Sequence, residues 1–169
     1  QDFTQEWLRS GQVLGCVTTL KNALRGCKVV PLGAMRYVAV AAPDLANRYL
    51  PQGLTAHNFR DVAFVAFNRK DDLQAEFVAR TFGLKRVTLH QLFVPSSEGQ
   101  VRAVAAGWGV SVVPELLARP LLAAGQLVDL APGHTLPVQL YWHCWNLESV
   151  VLNALTDALT AAARRSLVA

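Results

Sequence analysis

Cysteine is scarce in this chain: Cys16, Cys27 and Cys144 are the three among 169 residues, and they lie far apart. That spacing gives neither a disulfide framework nor a CxxC metal site. It fits small, buried, reduced thiols in a cytosolic protein. Charge is also thin, at 17% of residues, and Lys and Arg cluster no further than pairs such as Arg69-Lys70 and Arg164-Arg165, never as a dense run. The formal net charge of +4 therefore permits contact with nucleic acid without arguing for it. Long apolar runs are missing too, since charged or turn residues break every stretch before the ~20 residues of a membrane span. There is no initiator Met and no basic-then-apolar leader. A start at Gln1 reads as a fragment of a longer chain.

The signatures of common chemistry are likewise absent. No G-x-S-x-G elbow, P-loop or H-E-x-x-H occurs. His57, His90, His134 and His143 lack zinc-ligand spacing, and His143 and Cys144, adjacent on an expected strand, point to opposite faces. Gly107-Trp108-Gly109 contains a G-x-G, but it leaves a helix and enters a strand. A dinucleotide loop runs the other way, so a helix C-cap and tight turn is the reading. Ser97 has no histidine nearby in sequence to act as its base. The chain is not expected to be an enzyme, and no cofactor or metal is expected.

What is present is alternation. Phe3 to Ser10 reads as a helix that Asp2 can cap and Gly11 ends. Val13 to Thr19, Lys28 to Leu32 and Met35 to Ala42 read as strands, the last almost wholly apolar, as in sheets covered on both faces. Val62 to Phe67 is another strand, and Asp71 or Asp72 can cap a helix running to about Phe82. Arg86 to Val94 reads as a strand. Ser97 and Gln100 then have capping-box spacing before a helix that stops at Gly107. Gly109 to Val113 is a buried strand, and a helix interrupted by Pro120 follows. Gln126 to Leu130 and Val138 to Trp142 are the last strands. The final helix spans about Leu147 to Arg165 with Asn146 as N-cap, and Leu147, Val151, Leu155, Ala158 and Leu159 as its inner stripe. Such alternation indicates an α/β fold.

Three polar clusters fall at strand ends, where open α/β sheets collect ligands. Thr18 and Thr19 close one strand. Asn68 follows a second, with Asp71 and Asp72 just beyond. Ser96, Ser97 and Glu98 open a helix after a third. A helix start with serine hydroxyls suits a carboxylate, and Glu98, Asp71 and Asp72 suit an ammonium or guanidinium. Helix capping explains Ser97 and Asp71 equally well, and both roles can coexist.

The stretch from Val94 to Glu115, VPSSEGQVRAVAAGWGVSVVPE, resembles the passage of LysR-type transcriptional regulators where a helix ends in A-x-G-x-G and a strand ends in Val-Pro. Leu8 to Thr19, LRSGQVLGCVTT, resembles the family's helix-to-strand passage. Gly26 and Cys27, Pro31 to Gly33, Met35 to Tyr37 and Leu140 to Trp142 are similar to the ArgP/LysG-like branch, which governs export of basic amino acids. The resemblance implies a two-lobed, periplasmic-binding-protein-like (type II) α/β effector domain. Lobe I would take residues 1–39 and 113–169, and lobe II residues 40–112, with the first strand–helix–strand and the N-terminal winged helix-turn-helix missing.

It further implies lysine or arginine as effector in the inter-lobe cleft. Thr18, Thr19, Asn68, Ser96, Ser97 and Glu98 would line that cleft, and Asp71 and Asp72 would be weaker contributors. It also implies a cytoplasmic homodimer or homotetramer, with helices 3–10 and 97–106 as interface candidates. The full-length protein would reach DNA through the missing head and contact RNA polymerase, with no membrane involved. The alternative is a solute-binding protein of a transport system.

Overall fold

The computed structural model describes residues 2–168. In chain order the elements are α1 (Asp2–Arg9), β1 (Gly15–Thr18), β2 (Cys27–Ala41), α2 (Pro43–Tyr49), a short 3₁₀ turn (Asn58–Arg60), β3 (Ala63–Ala66) and α3 (Leu73–Phe82). They continue with β4 (His90–Phe93), α4 (Ser97–Ala105), β5 (Val110–Pro114), α5 (Glu115–Ala123), β6 (Val128–Asp129), β7 (Leu136–Trp145) and α6 (Val150–Ser166). The chain divides into two compact units, one of Gln1–Met35 with Pro137–Ala169 and one of Arg36–Leu136. The second crossing thus falls at 136–137, against 112–113 expected from the sequence. The reason is packing: Val113 on β5, Ala118 on α5 and Leu127 share one core cluster with Val38 and Val40 of β2, which keeps residues 113–136 with the second unit.

In the first unit β7 lies between β1 and β2. β1 runs antiparallel to β7, with Cys16 opposite His143 and Val17 opposite Trp142. Its core is Leu32, Trp142, Cys144, Leu152 and Ala163. Gly15 is required here, because a Cβ would lie 2.3 Å from the Trp142 ring. Helix α6 starts later than expected, with Ser149 rather than Asn146 as N-cap, its hydroxyl accepting from Leu152 N–H at 3.2 Å. Of the expected inner stripe, Leu159 packs against this core, but the rest of the buried face is different. Val151 is 79% exposed and Leu147 and Leu155 are half exposed, while Leu152 and Ala163 are buried. Trp142 donates its indole N–H to Thr156 Oγ1 on this helix at 3.0 Å.

Two expected strands are one. β2 runs through Pro31 and Gly33 without a break. Gly33 has φ +115°, and a Cβ there would stand 2.7 Å from Val168 O. Only glycine lets the C-terminal residues come this close, where Ala34 and Val168 exchange two backbone hydrogen bonds of 2.8 and 3.0 Å. Helix α5 likewise continues through Pro120.

In the second unit the order is β2-β5-β3-β4, with β6 also pairing β2. β2 and β5 are antiparallel from Tyr37 opposite Pro114 to Ala41 opposite Val110. β3 and β4 are parallel, from Ala63 beside His90 to Ala66 beside Phe93. β3 and β5 are parallel and meet at Phe64 and Val110. Beyond that pair, buried polar side chains replace the ladder. Gln74 of α3 donates to Val112 O at 3.0 Å and accepts from Val112 N–H at 2.7 Å. Val65 O accepts from Ser111 Oγ at 2.6 Å and from Gln100 Nε2 at 3.2 Å. These bonds answer the demand that buried backbone groups be paired. Among the described residues no helix is long and apolar enough to cross a membrane.

Candidate functional site

Because β3 and β4 are parallel neighbours, the segments that follow them leave the same edge of the sheet. One segment is 67–72 and the other 94–98, so Asn68, Asp71 and Asp72 share an edge with Ser96, Ser97 and Glu98. Thr18 and Thr19 belong to the first unit.

The turn after β3 is built on Asp71. Its Oδ2 accepts from Phe67 N–H at 2.9 Å and its Oδ1 from Leu73 N–H at 3.1 Å, which ties the strand end to the start of α3. Asn68 Oδ1 accepts from Lys70 N–H at 2.8 Å, and Asn68 O from Asp71 N–H at 3.1 Å. Both carboxylate oxygens of Asp71 therefore already serve the backbone. Asp72 stands at the N-cap position of α3, is exposed, and makes no side-chain cap bond. Between them Arg69 folds its guanidinium over the Phe93 ring at 5.7 Å, linking the two segments.

The turn after β4 differs from expectation in one detail. The N-cap of α4 is Ser96, not Ser97, and its Oγ accepts from Gly99 N–H at 3.1 Å. Gln100 does not reach back as in a capping box. Its amide turns inward to Val65 O, on the side of β3 where the ladder with β5 has ended. Gly99 allows the first turn of α4 to sit on β4, since a Cβ would meet Val94 Cγ1 at 2.9 Å. Ser97 is half-buried, and Glu98 is exposed with Oε2 3.4 Å from Ser96 Oγ. This edge offers an exposed carboxylate beside a helix N-terminus, one group for a cation and one for an anion.

Tyr37 was not singled out from the sequence. It begins the run of β2 that pairs β5, and burial pushes its phenol above the ordinary value of 10.0, with the Asp71 carboxylate adding to the rise. A polar aromatic residue at the head of the apolar run Val38 to Ala42 was the available signal. Arg69, Gln74 and Ser111 were also missed, and Gln100 was read as a capping residue. Single buried Gln and Ser residues carry no pattern that separates them from surface ones.

Thr18 is buried, its Oγ1 accepting from Leu20 N–H at 3.3 Å, while Thr19 is half-buried. Burial raises the thiols of Cys16 and Cys27, and a raised pKa makes a thiol less reactive. Among the described residues no group of three or more His, Cys, Asp or Glu side chains could hold a metal ion.

A family model for the LysR substrate binding domain matches residues 2–164. The chain belongs to the LysR substrate-binding domain family. It is 41% identical over 163 residues to the HTH-type transcriptional regulator LysG of Mycobacterium bovis, covering 96% of this chain and 53% of that protein. The crystal structure of ArgP from Mycobacterium tuberculosis superimposes with a TM-score of 0.92 at 39% identity, over 99% of this chain and 57% of that one. Full-length LysG from Corynebacterium glutamicum, with bound effector Arg, gives a TM-score of 0.84 at 35% identity, over 99% of this chain and 57% of that one. This LysR domain thus spans about half the length of the curated relatives it matches. The curated relatives LysG and ArgP are HTH-type transcriptional regulators.

Proposed function

We propose that this chain is the effector-sensing part of a LysR-type transcriptional regulator and that its effector is a basic amino acid, arginine or lysine. The observation that carries the reading is its 35% identity, over 99% of the chain, with a LysG that holds Arg as effector. The local chemistry agrees. The α-carboxylate of the effector goes to the start of α4 with Ser96 and Ser97, where the helix end favours an anion. Its cationic side chain goes to Glu98, with Asp72 and then Asp71 as weaker contributors. Thr18, Thr19 and Asn68 complete the set. As the family resemblance implies, the binding place is the inter-lobe cleft.

Arginine or lysine would favour one arrangement of the protein by its higher affinity for that arrangement, and it can shift the balance only by that difference. The output would be transcription of an amino-acid exporter gene. The full-length protein would act as a cytoplasmic homodimer or homotetramer through its DNA-binding head, with RNA polymerase as partner and no cofactor. Helices α1 and α4 are the interface candidates. Trp108, beside α4, is 62% exposed and joins Val94, Ala103 and Ala106 in an open apolar depression of about 320 Å³.

Glu98→Gln tests the assignment of charge. A charge-assisted hydrogen bond contributes roughly 1.5–3 kcal/mol, so arginine should bind about tenfold more weakly or worse. Citrulline, the uncharged analogue, should be little affected. Equal loss for both would remove Glu98 from the cation's site.

A further inference from the structure

The ladder between β1 and β7 ends at the pair of Thr18 and Tyr141, and the chain then turns at Thr19 into the exposed residues 20–23. Two hydrogen bonds shape this turn. Leu20 N–H donates to Thr18 Oγ1 at 3.3 Å, and Leu20 O accepts from His143 Nε2 at 2.6 Å. His143 stands on β7 opposite Cys16, fully buried at 0% exposure. Cys16 and Thr18 alternate along β1, and Cys16 pairs with His143, so the imidazole and the Thr18 side chain fall on one side of the sheet.

A carbonyl oxygen only accepts, so Nε2 carries a proton, and in the neutral ring Nδ1 is then a bare acceptor. That Nδ1 is buried and has no hydrogen-bond partner among the described residues. A buried unpaired acceptor is costly, and an aliphatic side chain would fill the same place without the cost. Packing alone therefore gives no reason for a histidine here. The bond from Nε2 to the turn does.

We infer that His143 is a positioning residue for the effector site: its Nε2–H fixes the Leu20 carbonyl and so sets the Thr18–Thr19 turn in the conformation that receives the basic amino acid. The inference rests on the proposed reading of Thr18 and Thr19 as effector contacts. His143 acts through the turn and does not itself touch the ligand. Glutamine is the conservative replacement, because its Nε2 lies the same number of bonds from Cβ and can donate to the same carbonyl. Leucine fills the space and donates nothing.

Titration calorimetry with L-arginine on the wild type, His143→Gln and His143→Leu separates the outcomes. Leucine should raise Kd about tenfold, the effect of losing about one good hydrogen bond, while glutamine should stay within about threefold. A folded leucine variant that binds as tightly as wild type overturns the inference and leaves the effector reading standing. A wild type that binds neither arginine nor lysine removes the effector reading, and the inference with it. If the leucine variant does not fold, nitrogen-15 NMR of the wild type decides. Arginine should shift the His143 Nε2 resonance and slow exchange of the Leu20 amide, and no change in either overturns the positioning role.

Discussion

Replacing Gln74 with leucine removes the clamp that holds β5 where its ladder with β3 has ended. Gln74 is fully buried, and its amide both donates to Val112 O and accepts from Val112 N–H. Leucine has similar volume, so little cavity is created, and the loss is almost wholly that of the two hydrogen bonds. Val112 would keep a buried N–H and a buried C=O without these partners, at about 1–3 kcal/mol each. If β5 shifts slightly toward its other neighbour, part of that is recovered, so a net loss of about 2–4 kcal/mol is expected. A loss of this size is a large part of a domain's ~5–15 kcal/mol. Urea unfolding of the wild type and Gln74→Leu, followed by circular dichroism, measures it. The slope with denaturant should be unchanged while the midpoint falls. A difference below about 1 kcal/mol would show that Val112 is satisfied without Gln74.

Two further outcomes follow from the edge that carries the polar segments. Ser96→Ala should cost about 1 kcal/mol in thermal unfolding and Ser97→Ala close to nothing, because the cap bond to Gly99 N–H belongs to Ser96. Tyr37 should titrate above its ordinary value of 10.0 in ultraviolet absorbance, and Asp71→Asn should lower that pKa. Since the folded state holds the phenol proton more tightly than the unfolded chain does, Tyr37 stabilises the fold below pH 10.0, and that contribution is not lost further down. Its effect is to make stability fall as pH climbs beyond that value toward the raised one.

Much of the fold was legible because its signals are periodic. The apolar run Met35 to Ala42, the glycine that ends α4 and the alternation of strand and helix each follow from local residue chemistry. Gly107, at φ +83°, ends α4 as read from the sequence. Three features were not legible, and each depends on a partner distant in sequence. The stripe buried by α6 packs with Trp142. The continuous β2 carries Gly33 and Ala34 against Val168, and Gln100 turns inward to the carbonyl of Val65, which Ser111 also reaches. The candidate site divides the same way. Its strand-end positions could be read from turn residues, whereas the charge of Asp71 felt at Tyr37 and the stacking of Arg69 over Phe93 needed the tertiary fold.

Calorimetric titration of the protein with L-arginine, L-lysine and citrulline at neutral pH tests most directly whether a basic amino acid is recognised here. Saturable binding of arginine or lysine at micromolar to low millimolar concentration, with citrulline at least about tenfold weaker, is the expected result. Absence of heat and of any thermal shift with both basic amino acids at millimolar concentration, from a folded sample, would contradict it.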